Sequence, residues 1–196
     1  PGHPSDAAPM LRTLAAAADV DGTVSVFLEP IALYHTRDLH SADDGQWTAP
    51  YVAPSRWSGA HVPIGQGRVA RQGDDVVIVT WANGLHLSLR AARRLAGRGI
   101  TCRVYDLRWL APLPLDDVFA HASEVGRVLV VDETRHSGGV GEGVVTGLAE
   151  RGYRGALERV AARDSFVPLG DAANLVLVGE DEIVDATLRL LGLGGA

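Results

Sequence analysis

From Pro63 onward the chain alternates short apolar runs with helical patterns. "GRVARQ" (67–72) reads as a short strand, "GDD" as a turn and "VVIVTW" (76–81) as a buried strand. "NGLHLSLRAARRLAGRG" follows as a helix, with Asn83 as candidate cap and Leu85, Leu89, Ala92 and Leu95 as its apolar stripe. "ITCRVYDL" is the next strand. Pro112 and Pro114 break the chain before a short helix around Asp116 to Ser123. "RVLVVD", "VGEGVVTGLAERG", "ALERVAA" and "EDEIVDATLRLL" then continue as strand, helix, strand and helix. Strands alternating with helices predict a mostly parallel sheet covered on both faces. Only the turn Gly73–Asp75 separates the first two strands. A parallel crossover needs about a dozen residues or more, so the first strand is predicted to run antiparallel. The expected fold class is α/β, a three-layer α/β/α domain on a five-stranded mixed sheet.

The pattern before Pro63 is different. Residues 5–19 read as a helix capped by Ser5 or Asp6, with Pro9 tolerated in the first turn. "TVSVFLEP" (23–30) is a β-rich run ended by Pro30. Residues 31–62 show no sustained period, yet hold Tyr34, Trp47, Tyr51 and Trp57. A stretch this long without a pattern is usually functional or packs onto a neighbouring surface. Residues 1–30 are too few for a complete sheet. Their apolar faces need cover from missing chain or a partner, so the expectation is self-association as a homo-oligomer, or else a poorly ordered region.

Composition narrows the chemistry. The net charge of −6 argues against a nucleic-acid or anionic-membrane surface. All eighteen cationic side chains are arginine, which removes Schiff-base, Walker and amine-base lysines. The lone Cys102 cannot form an internal disulfide, which suits a cytoplasmic setting. No apolar run approaches the roughly 20 residues needed to span a bilayer.

The candidate motifs each have two readings. "VLVVDETRHSGGVGEGVV" resembles a strand running into a phosphate-binding turn. A dinucleotide fingerprint starting at Gly139 and Gly141 puts Val144 at its third glycine position, and one starting at Gly141 puts Thr146 there. Gly138, Gly139 and Gly141 therefore shape a turn or a close backbone approach, or bind an anion. Glu158 could imitate a ribose-binding acid. His35 and His40 lie five apart, a poor zinc spacing. His86, beside the apolar stripe of its helix, is a packing or interface residue. Glu180, Asp181, Glu182 and Asp185 either favour a helix N-terminus or form a docking patch for a basic partner. No Gly-x-Ser-x-Gly elbow is present, so a nucleophilic hydrolase has no anchor. The residues alone give an α/β domain without a self-contained catalytic constellation.

Several segments occur together in order: "FLEPIALY", "VPIGQGRVARQGDDVVIVTWANGLHLSLRAARRL", "CRVYDLRWLAPLPLDDV", "VLVVDETRHSGGVGEGV" and "RDSFVPLG". This set resembles the C-terminal part of the β subunit of thiamine-diphosphate-dependent 2-oxo acid dehydrogenases, of the pyruvate or branched-chain type, in the transketolase superfamily. Transketolase and deoxyxylulose-phosphate synthase share the same C-terminal fold. The resemblance implies a pyrimidine-binding-domain remnant at 1–30, a linker at 31–62 and a transketolase C-terminal-like domain at 63–196.

The resemblance also implies thiamine diphosphate and magnesium in the complete enzyme. They would be held by pyrimidine-binding and diphosphate-binding domains or subunits outside this segment, and an acyltransferase core would be the docking partner. It assigns no catalytic, cofactor-binding or metal-ligating residue here, and implies that the segment alone is inactive. Pro114 stands where the resembled family usually has an aspartate, although Asp116 and Asp117 follow. With the long aromatic linker, this departure from the resembled family implies a divergent member, such as one with fused α and β parts.

Overall fold

A computed structural model describes residues 1–194. Five strands form one sheet in the order β1-β3-β2-β4-β5. They are β1 (Arg68–Arg71), β2 (Val76–Thr80), β3 (Cys102–Asp106), β4 (Arg127–Arg135) and β5 (Ala156–Ala162). β1 runs antiparallel to β3, and every other pairing is parallel. β2 is central, and all its residues are buried, because helices cover both faces. Helices α2 (Asn83–Ala96) and α5 (Glu180–Leu190) pack one face around Ile78, Leu129 and Ile183. Helices α3 (Leu115–Val125) and α4 (Val140–Glu150) pack the other around Val79, Val130 and Leu148. Both the five-strand count and the antiparallel first strand agree with the sequence pattern.

Three local expectations are corrected, the third of them in the N-terminal helix. Thr23–Pro30 has strand composition but forms no strand: among the described residues it pairs with no neighbour. An extended segment is a strand only when its backbone groups find a partner ladder. Val24, Val26 and Leu28 are 94%, 83% and 63% exposed. Asn83 is not the cap of α2. That position falls on Ala82, which makes no side-chain cap bond, while Asn83 is the first helical residue and donates to Glu133.

The N-terminal helix α1 (Pro4–Asp21) starts at His3, whose ring accepts from the Ser5 amide, and ends at left-handed Gly22. The cap therefore falls on neither Ser5 nor Asp6, and Pro9 lies inside the helix, beyond its first turn, because the proline at the helix start is Pro4. Met10 packs with Val62 and Trp109, fastening α1 to the loop after β3. The segment 31–62 contains two short 3-10 turns and otherwise irregular chain. Part of it is built by carboxylates. Asp44 accepts amide hydrogens from Leu39, His40, Ser41 and Gln46, and Asp38 accepts from Asp43 and Gly45. These bonds, the Gln46 amide first, hold the Asp44 carboxyl well below its ordinary range. The loop so formed drives Leu39 and Trp47 into the main core. His86 presents its ring edge-on to Trp47 at 4.8 Å and reaches the Asp38 carbonyl at 3.2 Å.

Because Trp47 is 1% exposed and Trp57 39%, the two tryptophans of this segment should differ sharply. Trp47→Ala is expected to cost about 3–5 kcal/mol of unfolding free energy. Trp57→Ala is expected to cost less than about 1 kcal/mol. Urea unfolding followed by circular dichroism would check both. Equal small losses would mean that the loop is not part of the folded unit.

Candidate functional site

The connections leaving β2 and β4 turn to opposite sides of the sheet, so a crevice forms outside their carboxyl ends. In open α/β sheets this switch point is where ligands bind. Here it is a cleft of about 740 Å³. Its floor carries Trp81 and Ala82 from the end of β2, Asp106 and Arg108 after β3, and Glu133 and Thr134 at the end of β4. Its roof is the unpaired segment Thr23–Pro30.

The backbone is strained at this cleft. Only Asp43, Ala82 and Arg108 among the described non-glycine residues have positive φ, and two of these three line it. Such conformations cost on the order of 1–3 kcal/mol each and persist where the surroundings over-determine them.

The polar groups form a buried ionic junction. Arg108 donates to Asp6 of α1 at 2.7 Å, and Arg68 lies 3.0 Å from the other Asp6 oxygen. Asp106 accepts the Arg108 amide at 3.0 Å, while its second oxygen has no hydrogen-bond partner and sits 3.7 Å from Arg68. Burial pushes the Asp106 carboxyl up to about 6, against the pull of the Arg108 amide and of Arg68. Glu133 is also raised by burial, opposed by hydrogen bonds from Asn83. The cleft thus holds two reluctant carboxylates, Asp106 and Glu133, and one committed guanidinium, Arg108; Glu29 and the hydroxyls of Thr23, Ser25 and Thr134 also line it, and among the described residues no cysteine does. Cys102 lies inside the sheet, its thiol pushed by burial to about 12.

The glycine turn has a structural answer. Asp132, where the regular pairing of β4 with β5 ends, folds back beneath it. One oxygen accepts the Thr134 amide and hydroxyl at 2.8 and 2.6 Å, and the other accepts the Gly141 amide at 2.7 Å. The N-terminus of α4 thus already holds an internal carboxylate where a phosphate would bind. A Cβ at Gly139 would lie 2.6 Å from that carboxylate, and one at Gly141 3.0 Å from it. Gly138 is required differently, by its φ of 73°. The turn is therefore closed to an anion by its own chain.

The remaining sequence candidates disperse. Glu180 pairs with Arg90 and lies 3.8 Å from Arg94, which also pairs with Asp181 at 2.7 Å. Glu182 accepts the Gly179 amide at 2.9 Å, reaching back to cap the start of its own helix. Asp185 is exposed. Glu158 pairs with Arg189 instead of facing a cofactor. His35 and His40 join no metal cluster: no group of three or more His, Cys, Asp or Glu side chains gathers among the described residues. No described helix is long and apolar enough to cross a membrane.

Sequence reasoning missed Asp6, Arg68, Asp106, Arg108, Asp132 and Glu133. The readable signal was an acid placed where an apolar parallel strand ends, as in "RVYD" and "LVVDE". The pairing of Asp6 with Arg108 spans 102 positions and leaves no local trace.

This sheet order, with one antiparallel edge strand and a switch-point crevice, defines a class of α/β domain. The chain belongs to the transketolase C-terminal domain family, whose model matches residues 65–181. It is 33% identical over 133 residues to a pyruvate dehydrogenase E1 component subunit beta of Staphylococcus aureus, covering 66% of this chain and 41% of that one. The corresponding Bacillus subtilis protein is 29% identical over 194 residues, covering 97% of this chain and 54% of that one. Among solved structures, a split-gene transketolase described as an inactive beta4 tetramer is similar with a TM-score of 0.60 and 29% identity, over 69% of this chain and 44% of that one. The chain thus spans about half the length, or less, of the curated relatives it matches.

Thiamine diphosphate with magnesium can be tested against the residues present. A diphosphate needs a cradle of free amides or cations, and magnesium needs clustered oxygen ligands. The α4 N-terminus is filled by Asp132, Arg108 is taken by Asp6, and no metal-ligating cluster exists among the described residues. These residues do not fit the group.

The raised Asp106 carboxyl makes a prediction with a definite sign. Its folded pKa lies above the ordinary aspartate value, so its stabilising contribution is full below about pH 4 and is lost as pH rises through about 6. Asp6, Arg68 and Arg108 face it throughout. Relative to Asp106→Asn, the wild type should lose on the order of 2–3 kcal/mol of unfolding free energy between those limits. Denaturant unfolding of both proteins across the range measures this; parallel curves would refute it.

Proposed function

We propose that this chain is the C-terminal region of a thiamine-diphosphate-dependent 2-oxo acid dehydrogenase decarboxylating component, of the kind named in its relatives. On this reading residues 1–30 belong to a pyrimidine-binding domain, 31–62 link, and 63–196 form the C-terminal domain. The region closes and assembles the enzyme and supplies no reacting group. One observation carries the proposal. Thr23–Pro30 roofs the switch-point cleft in extended form, with Val24, Val26 and Leu28 facing solvent and no strand beside them. An apolar, unpaired, strand-like edge is a surface made to be covered. Further sheet from a pyrimidine-binding domain would pair its backbone and bury those side chains. A second copy of the chain could serve in its place, and the beta4 tetramer of the split-gene transketolase makes homo-oligomers a natural state to look for.

The cleft then contributes geometry. Arg108 and Asp106 hold α1 and the post-β3 loop, while the cleft's apolar walls exclude water from whatever lies above. The catalytic groups and the cofactor come from outside this segment. Titration calorimetry with thiamine diphosphate and magnesium tests the division. The chain alone is expected to show no saturable binding, and binding should appear once the pyrimidine-binding and diphosphate-binding regions are supplied. Micromolar affinity of the chain by itself would overturn the proposal.

Docking to an acyltransferase core would fall on the exposed acids of α5. Glu180 is 22% exposed and engaged with arginines, and Glu182 caps its own helix, whereas Asp181 is 85% exposed and Asp185 is free at the surface. Asp181→Ala with Asp185→Ala should slow association with a basic core and flatten its salt dependence. Exposed pairs contribute about 0.2–1 kcal/mol each, so the change should be only a few-fold. Unchanged rates and salt slope in stopped-flow binding would assign these acids to α5 alone.

A further inference from the structure

A second cavity, of about 440 Å³, opens where the loop carrying Leu39, His40 and Trp47 crosses the edge strand β1 and helix α2. This volume is within the range of small-molecule sites. Its walls divide by chemistry. Leu39, Ala70, Leu85 and Leu89 give an apolar side. The polar side is dominated by donors.

Arg71 is the clearest of them. Its guanidinium makes no ion pair among the described residues, and its Nε is buried with no hydrogen-bond partner. The Trp47 indole N–H is likewise buried without an acceptor. A guanidinium and an indole can only donate, so neither satisfies the other. A buried donor without an acceptor costs about 1–3 kcal/mol, and native proteins leave few of them.

The nearby acids cannot answer these donors. Asp44 is saturated by four backbone amides, Glu180 is held by Arg90, and Asp6 is held between Arg68 and Arg108. Cations meanwhile accumulate. Burial first, then Arg93, and more weakly Arg90 and Arg71, hold the His40 imidazole below its ordinary pKa, while Asp44 opposes them. Against the guanidinium groups of Arg68 and Arg71 and the Trp47 indole, the described side chains lining the cavity offer as acceptors only the Gln46 amide oxygen and the imidazoles of His3 and His40, with no carboxylate, beside a set of aliphatic side chains.

We propose that this cavity binds a small oxyanion with a short aliphatic body, with Arg71 as its charge partner and the Trp47 N–H as a second donor. A short-chain carboxylate has this chemistry. Its oxygens accept from the guanidinium as charge-assisted bonds, and its chain lies on Leu39, Leu85 and Leu89. The site is separate from the switch-point cleft and does not rest on any thiamine chemistry.

The four tryptophans give one indole signal each, so an NMR titration reports the location directly. The probes are sodium hexanoate, inorganic phosphate, and sodium chloride at matched ionic strength, added to the wild-type protein. Hexanoate should shift the Trp47 indole signal saturably and leave Trp81 and Trp109 of the cleft in place. Phosphate, lacking the aliphatic body, should bind more weakly. Arg71→Met should weaken hexanoate binding by about tenfold or more, while Arg98→Met, at an exposed position, should not. No saturable shift, an equal response to chloride, phosphate binding as tight as hexanoate, or shifts at Trp81 and Trp109 instead would each overturn the proposal. The wild-type titration decides the matter even if Arg71→Met does not fold.

Discussion

The arrangement of the N-terminal half depends on Asp6. Its carboxylate is buried between Arg68 of β1 and Arg108 after β3. Such a pair adds little net stability, because desolvating three charges offsets most of their attraction. Its effect lies in discrimination: any other placement of α1 would leave the acid or a guanidinium buried and alone, at a cost of several kcal/mol. α1 is therefore fixed over Trp109 and Val62. The chain leaving α1 must cross the strand ends as the roof of the cleft. The chain returning past residue 37 packs Trp47 between His3 and His86. Both cavities border this junction, since Arg68 and His3 line one, and Asp106 and Arg108 the other.

Much of the domain was legible because its signals are local. The short turn at Gly73–Asp75 dictated an antiparallel β1, and the stripe of α2 dictated which face it buries. Thr23–Pro30 misled for a physical reason. β-propensity describes fitness for a pleated, half-buried surface, and the sequence cannot say whether a neighbouring strand is at hand. Asn83 misled because a side chain that can cap a helix can also donate elsewhere, and Glu133 is the partner it takes. Residues 31–62 had no period because carboxylates, not repeating hydrophobics, fold the loop around Asp38 and Asp44.

The functional candidates divide in the same way. The glycine turn offers two readings in the sequence, a close backbone turn and an anion site, and the deciding atom, Asp132 Oδ2, is visible only in the fold. Glu180, Asp181 and Glu182 formed a cluster in sequence, but charge counted along a chain takes no account of opposing arginines on another helix. Arg90 and Arg94 supply these, so much of the apparent patch is an α2–α5 contact. The ionic junction at Asp6 could not be read at all, because nothing in residues 4–21 specifies a partner 102 positions away.

What separates a site from scaffolding in this molecule is whether its polar groups are satisfied. At the α4 N-terminus every feature of an anion site is present, but Asp132 already occupies it, so the turn is complete without a ligand. At the switch point Arg108 answers Asp6, although its Nε and the Trp109 indole N–H are buried without acceptors, and the exposed feature is the apolar roof. The bare roof is the profile of a surface awaiting more protein. At the edge of β1 the apolar groups are covered, Arg71 and Trp47 keep buried hydrogens without acceptors, and Arg71, unlike Arg108, has no carboxylate partner among the described residues. A folded chain can leave an apolar edge bare until it assembles, since water tolerates it at a cost proportional to area. A buried donor has no such default and requires a partner atom. The roof at Val24–Leu28 therefore points to assembly, and the cavity at Arg71 points to a small acceptor.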